Sequence, residues 1–396
     1  MILLLCCYFF LTVSLFGTSA FAFDSSKSPD CSNGTIALVS LETRKAWSEV
    51  PCPSTLSVPR NASSFDDANL SISSTGKSRV YMAGLVRDVF QLQPKIVTGL
   101  IELSCVYGVE IHILSGTGKK EGSPPVEAAI HLFDDAKRRC FGGGSSSSPC
   151  TSISIDRDPP NAKKDYKNRV DRIAFLRDHH RQILSSKIAN STGLSNAVVL
   201  VADLELHSFP TASTIQNEID RVLGGKGKDQ QHDVVCAAGL MHRPFGYFDI
   251  YATVLRDGTF VYPVSGRLVP EFAPEENRAM VRSKSVYGSL TQEGIFRHLL
   301  EQGKTTSSGT VSVRSCFGGM SVYRASTWFQ EACRYSMPHD TSELEIYSNL
   351  EDGRPCEHVV FHDCLLKWNT STSIAIAPFM NSFWDEPIEP QSFLFS

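Results

Sequence analysis

Residues Val198 to Pro210 read VVLVADLELHSFP. A short, unbroken apolar run of this kind has the pattern of a strand buried on both faces rather than one. It stops on Asp203-Leu204-Glu205. Because strand side chains alternate, Asp203 and Glu205 are expected on the same face. Two carboxylates side by side repel unless a cation lies between them, and hard oxygen ligands favour Mg²⁺ or Mn²⁺. The competing reading is an acidic corner where a strand runs into a loop.

The surrounding pattern makes this strand one of a series. Arg79 to Val86, Val109 to Leu114, Ser152 to Ile155 and Val234 to Ala238 read as further strands. Helical spacing is expected over Phe90 to Tyr107, Val126 to Arg139, Asp165 to Ile188 and Thr211 to Leu223. Strands alternating with helices predict an α/β fold with a mainly parallel central sheet. In such sheets ligands bind beyond the carboxyl ends of the strands, where Asp203 and Glu205 are expected. No G-x-G-x-x-G follows the first strand, and no P-loop or G-x-S-x-G pattern occurs. A dinucleotide fold, a P-loop nucleotidase and a serine hydrolase therefore lack support.

Residues 1–23, MILLLCCYFFLTVSLFGTSAFAF, are almost wholly apolar and end in Ala20-Phe21-Ala22. That suits a cleaved signal peptide, and the length also suits an uncleaved signal anchor. Residues 24–78 are rich in Ser, Pro, Asn and Thr and read as a stem or linker, with one short disulfide-tied element around Thr35 to Cys52. Residues 79–396 form the expected globular domain. N-x-[ST] triplets at Asn33, Asn61, Asn69, Asn190 and Asn369 fit a secretory route. Of the 12 cysteines, Cys6 and Cys7 lie in the leader. The others are expected in disulfides, with Cys31–Cys52 and Cys140–Cys150 as local candidates. No C-x₂-C pair supports a structural zinc. A formal charge of −4 and the absence of a basic run argue against nucleic acid as the partner.

A second dense region begins at Ser315, reading SCFGGMSVYR. Gly318 and Gly319 read either as a bulge or turn, or as a backbone wall against which a sugar ring lies. Cys356 to His362 reads CEHVVFH. On a helix His358 and His362 share a face at i, i+4, a metal-ligand spacing that surface histidines also show. Glu357 is a candidate base or sugar-hydroxyl acceptor. The order E-H-x-x-x-H does not match a zinc protease.

Together these blocks resemble a GT-A-type glycosyltransferase, and most closely glycosyltransferase family 69, the fungal group with the cryptococcal capsule-associated alpha-mannosyltransferases. The resemblance rests on VYMAGLVR (from Val80), RVDRIAFLRDHHRQIL (from Arg169), VVLVADLEL (from Val198), and SCFGGMSVYR with CEHVVFH. It implies a nucleotide-sugar-binding half joined to an acceptor half. It also implies a GDP-mannose donor, a glycan or glycoprotein acceptor, and Mn²⁺ or Mg²⁺ on the donor diphosphate. Asp203 and Glu205 match the D-x-D position, with glutamate second, and His358 or His362 would be a late ligand. Arg87 and Arg177 would contact the donor, Gly318 and Gly319 would line its sugar pocket, and Asp203 and Glu357 would act in catalysis. The expected setting is the secretory pathway, the Golgi lumen or the exterior, with membrane attachment only through an uncleaved leader. Two other readings stay open. One is a secreted lectin-like or scaffold protein on an inactive transferase fold. The other is a hydrolase using Asp203, His358 and His362.

Overall fold

The computed structural model describes residues 39–53, 79–116, 124–141, 150–188, 194–224, 231–242, 245–249, 251–256, 258, 287–336 and 356–386. The apolar leader and most of the expected stem lie outside them. Among the described residues no helix is long and apolar enough to cross a membrane.

The strands are β1 (Arg79–Val86), β2 (Glu110–Ser115), β3 (Ile153–Arg157), β4 (Ala197–Asp203), β5 (Val234–His242), β6 (Phe245–Tyr247), β7 (Val254–Leu255), β8 (Val311–Ser315), β9 (Met320–Arg324) and β10 (Ile374–Phe383). The helices are α1 (Leu41–Ser48), α2 (Pro94–Cys105), α3 (Val126–Phe141), α4 (Ala162–Asp165), α5 (Arg169–Ile188), α6 (Ala212–Leu223), α7 (Tyr287–Thr305), α8 (Ala325–Trp328) and α9 (Glu357–Trp368). The strands form one sheet in the order β3-β2-β1-β4-β9-β5-β10-β8-β7, with β6 paired to β5. β3, β2, β1 and β4 pair in parallel, as do β5 and β10. β9 runs antiparallel between β4 and β5, which leaves those two strands pointing the same way. The expected α/β architecture, a mainly parallel sheet flanked by helices, is the one the chain adopts.

β4 shows why. Val198, Leu200 and Ala202 enter a core shared with α1, α2, α3 and α6, while Ala197, Val199 and Val201 enter the opposite core, shared with α5, α7 and α9. A strand covered on both faces has no solvent side to encode, so its sequence is continuously apolar. Truncating Leu200, fully buried, costs about 2–5 kcal/mol by the usual cavity rule.

Local chemistry moves several boundaries. Pro94, with no N–H to lose, occupies the first turn of α2, so the expected helix from Phe90 becomes a 3₁₀ turn (Val89–Gln91) followed by α2. The expected helix from Asp165 is interrupted. Asn168 accepts the Val170 N–H through its side chain at 2.8 Å and starts α5 at Arg169. Thr211 caps α6, and Gly224 at φ 87° ends it in the left-handed region.

The disulfides correct the local pairs. Cys52 bonds Cys140, Cys105 bonds Cys150, Cys236 bonds Cys316 and Cys333 bonds Cys364. Cys31 lies outside the described residues, and Cys356 is a buried free thiol. Proximity in sequence misled because α1 packs onto α3: Trp47 meets Phe133 edge-on at 4.7 Å, which brings Cys52 beside the end of α3. Residues 39–53, within the expected stem, are thus packed against the sheet domain.

Candidate active site

β4 ends at Asp203, and the chain turns at once. The Asp203 N–H donates to Gly319 O at 2.9 Å and the Leu204 N–H to Leu85 O at 2.9 Å. Leu204 folds over Gly84, where a side-chain carbon would fall 2.7 Å from the Leu204 Cδ1. Glu205 therefore lies beyond the strand, and strand alternation does not govern it. This corrects the expectation that the two acids share a strand face.

Each acid instead takes an arginine. The buried Arg177 of α5 donates from Nη2 to Asp203 Oδ1 at 2.9 Å and from Nε to Glu357 Oε1 at 3.0 Å. Its guanidinium lies 4.6 Å from the Phe317 ring centroid and 5.9 Å from that of Tyr335. Burial opposes the charge on Arg177, but the Asp203 and Glu357 carboxylates outweigh it and raise its pKa. Burial raises the Asp203 carboxyl from its ordinary value, with Arg177 pulling the other way and Glu357 adding repulsion. Glu357 opens α9, where the helix dipole favours an anion, and its Oε2 accepts from the Cys356 thiol at 3.3 Å. Glu205 pairs with Arg87 through both oxygens, at 2.6 and 2.8 Å, and also accepts the Arg87 backbone N–H at 3.1 Å. The Arg87 side chain is exposed.

The neighbours of Arg177 on α5 hold the site's far wall. Asp178 accepts the Tyr335 and Ser336 N–H groups, while Arg181 donates to the carbonyls of Trp328, Gln330 and Cys333. This sets Tyr335 beside Arg177 and His358.

The two histidines of α9 differ. His362 is fully buried: its Nδ1 accepts the Cys316 N–H at 3.4 Å and its Nε2 lies 2.8 Å from Tyr323 Oη. That pattern assigns the ring proton to Nε2. Burial pushes the His362 imidazole down to about 3. His358 stacks on Phe317 at 3.8 Å between centroids and is 1% exposed. Its Nε2 has no hydrogen-bond partner and lies 3.7 Å from Glu357 Oε1. Burial first, then Arg177, hold His358 well below its ordinary pKa and so neutral.

Gly318 and Gly319 both have positive φ, 65° and 80°. A side chain on Gly318 would collide with the Ala237 carbonyl oxygen at 1.8 Å, and one on Gly319 with Leu206 at 2.8 Å and Trp384 at 3.2 Å. Their missing side chains are thus required by backbone packing onto β5 and Leu206.

One participant was missed by sequence reasoning. Asp249, just after β6, accepts the Gly318 N–H at 2.6 Å. Burial pushes its carboxyl up to about 7, and the Glu357 and Asp203 charges push the same way. An acid soon after the strand Val234 to Ala238 was the available signal. Only the β5–β6 hairpin turns it back over Gly318.

The residues fit a divalent ion in part. Among the described residues no three His, Cys, Asp or Glu side chains are gathered as a metal cage. Glu205 is occupied by Arg87, and both nitrogens of His362 are occupied within the core. Asp203 and His358 offer donors of the right type, a carboxylate and a neutral imidazole with an orphaned buried nitrogen, linked to each other through Arg177 and Glu357. The four acids Asp203, Glu205, Asp249 and Glu357 also outnumber the two arginines, Arg87 and Arg177.

No family model and no curated protein matches this chain. Among solved structures it is similar to S. aureus TarS, residues 1–349. The likeness has a TM-score of 0.37 and 7% identity over 77% of this chain and 60% of that one. So loose a superposition carries no argument about activity.

Proposed function

We propose that this chain is a glycosyltransferase that moves a hexose from a nucleotide sugar to a glycan hydroxyl. The observation that carries the reading is the buried Arg177, fixed between Asp203 and Glu357 beyond the carboxyl end of β4. That edge is where α/β sheets bind ligands. Glycosyl transfer breaks the bond from the anomeric carbon to the diphosphate, and charge builds on the leaving oxygen. A guanidinium held rigidly between two carboxylates is preorganised, so it needs no rearrangement as that charge appears. The exposed Arg87, anchored by Glu205, would meet a donor phosphate at the rim. Glu357 serves here as the carboxylate that orients Arg177 through Nε.

GDP-mannose as donor, mannose as the transferred sugar and the lumen of the secretory pathway as the setting belong to this proposal. Their support is the family-69 resemblance of the sequence blocks and the apolar leader. A divalent ion belongs to it too, with Asp203 and His358 as its holders. Bound there, Mn²⁺ or Mg²⁺ would act as a Lewis acid on the leaving diphosphate.

The reading is tested by incubating the secreted protein with a panel of nucleotide sugars and measuring release of nucleoside diphosphate. GDP-mannose is expected to be consumed, and Asp203→Asn to lose that activity while remaining folded and secreted. A well-folded wild type that consumes none of the panel, yet binds glycans, would establish the lectin-like reading instead. The pairing of both acids with arginines is the observation that favours that second reading.

A further inference from the structure

Beside the Arg177 cluster lies an aromatic face that the transfer reading has not used. Phe248 is 36% exposed, although its backbone is anchored by an N–H bond to Gly239 O at 2.7 Å. Its ring meets Trp384 at 4.7 Å between centroids, tilted by 40°. Trp384 is held in turn by its N–H bond to Leu240 O at 3.0 Å and by packing over Gly319. The residue after Phe248 is Asp249, fixed by the Gly318 N–H. Gly319 O accepts the Asp203 N–H, so this face is contiguous with the end of β4.

The combination selects a chemistry. A fixed aromatic surface stacks against the C–H face of a ring that has both apolar and polar sides. A carboxyl oxygen accepts hydroxyl hydrogen bonds and offers no positive charge to a phosphate. Saccharides meet both requirements and nucleotides do not. The place is also right: Asp203 lies one backbone hydrogen bond from Gly319, and the donor is assigned to the Arg87–Arg177 side. We propose that Phe248, Trp384 and Asp249 form a saccharide subsite, with the sugar ring against Phe248 and a hydroxyl donating to Asp249. Naming this sugar the acceptor rests on the transferase reading; binding itself does not.

The test uses the full secreted chain, saturation-transfer NMR with methyl α-mannoside, α-mannobiose and methyl β-glucoside, and transfer kinetics with whichever saccharide binds. Ring protons of at least one probe are expected to be saturated by the wild type. Phe248→Ala and Asp249→Asn are each expected to weaken binding at least tenfold and to raise the saccharide KM equally, and Phe248→Ala to leave donor KM within twofold. Phe248→Tyr, which keeps a ring face, should retain binding. No probe bound by the wild type, or wild-type affinity in both Phe248→Ala and Asp249→Asn, overturns the subsite. Donor turnover with unchanged saccharide KM in both variants removes the subsite and leaves the transferase standing. Saccharide binding without turnover of any donor does the reverse.

Discussion

The two arginine–carboxylate assemblies at the end of the sheet use the same chemistry in opposite surroundings. Arg177 is 4% exposed, bridges Asp203 and Glu357, and lies over Phe317. Arg87 forms a tighter-looking, two-pronged pair with Glu205, yet its side chain is 88% exposed. Burial removes the water that would otherwise screen the inner charges, so losing any one of them leaves its partners uncompensated. Water does most of the compensating for the outer pair, which contributes little stability however good its geometry. Bond lengths alone would rank the two pairs wrongly.

Replacing the inner arginine has the largest expected effect. Arg177→Met should abolish donor turnover and destabilise the fold by about 3–5 kcal/mol in urea unfolding, the usual cost of breaking a buried pair. A loss under about 1 kcal/mol would show that Asp203 and Glu357 do not depend on it. Arg177→Lys, which lacks the two-sided fork, should fold better but transfer no better.

Asp203→Asn should lower donor turnover by about 10²–10³-fold, the scale of removing one preorganised charge. Glu205→Gln should lower it far less. Equal losses would erase the distinction between inner and rim acids.

Metal binding sharpens the same contrast. Isothermal titration with Mn²⁺ should show binding that falls at least tenfold in His358→Ala or Asp203→Asn and survives Glu205→Gln. Retained affinity in His358→Ala would remove the orphaned nitrogen from the site.

Acid should act on the inner region. His362 is neutral in the fold, with its pKa near 3, and ionises near 6.5 once unfolded. Its contribution is therefore complete above about pH 6.5 and is lost as pH falls toward 3, at up to about 1.4 kcal/mol per pH unit. His362→Gln should lower stability at neutral pH and flatten its decline below pH 6.5 in urea unfolding. An unchanged slope would mean that other groups dominate acid unfolding.

The smallest effect belongs to the rim. Arg87→Ala should change stability by less than about 1 kcal/mol while raising donor KM. A large loss of stability would place the rim pair in the same class as the inner one.

Much of the sheet was legible because a strand covered on both faces announces itself as a continuous apolar run, as in Val198 to Val201. Helix starts were less so: Pro94 and Asn168 set them through local chemistry that periodicity overlooks. Of the expected site, Asp203, Glu357, His358 and Arg177 were identified as residues, but their partnership was not. Arg177 and Glu357 are separated by most of the domain and meet only because α5 and α9 pack on one face of the sheet. Asp249 escaped because a hairpin decides where it points.

The chain's own pattern therefore determined the layer architecture, the position of Asp203 at a strand's carboxyl end, and the need for glycine at positions 318 and 319 to be explained. Tertiary structure alone decided the disulfide partners. It also separated His358 from His362, one turn apart on a single helix. Helical spacing puts both imidazoles on one face, and Tyr323 and the Cys316 N–H then reach both nitrogens of His362 while leaving the Nε2 of His358 unpaired. Periodicity encodes which side of an element is buried; the neighbours that satisfy a buried polar atom come from elsewhere in the chain.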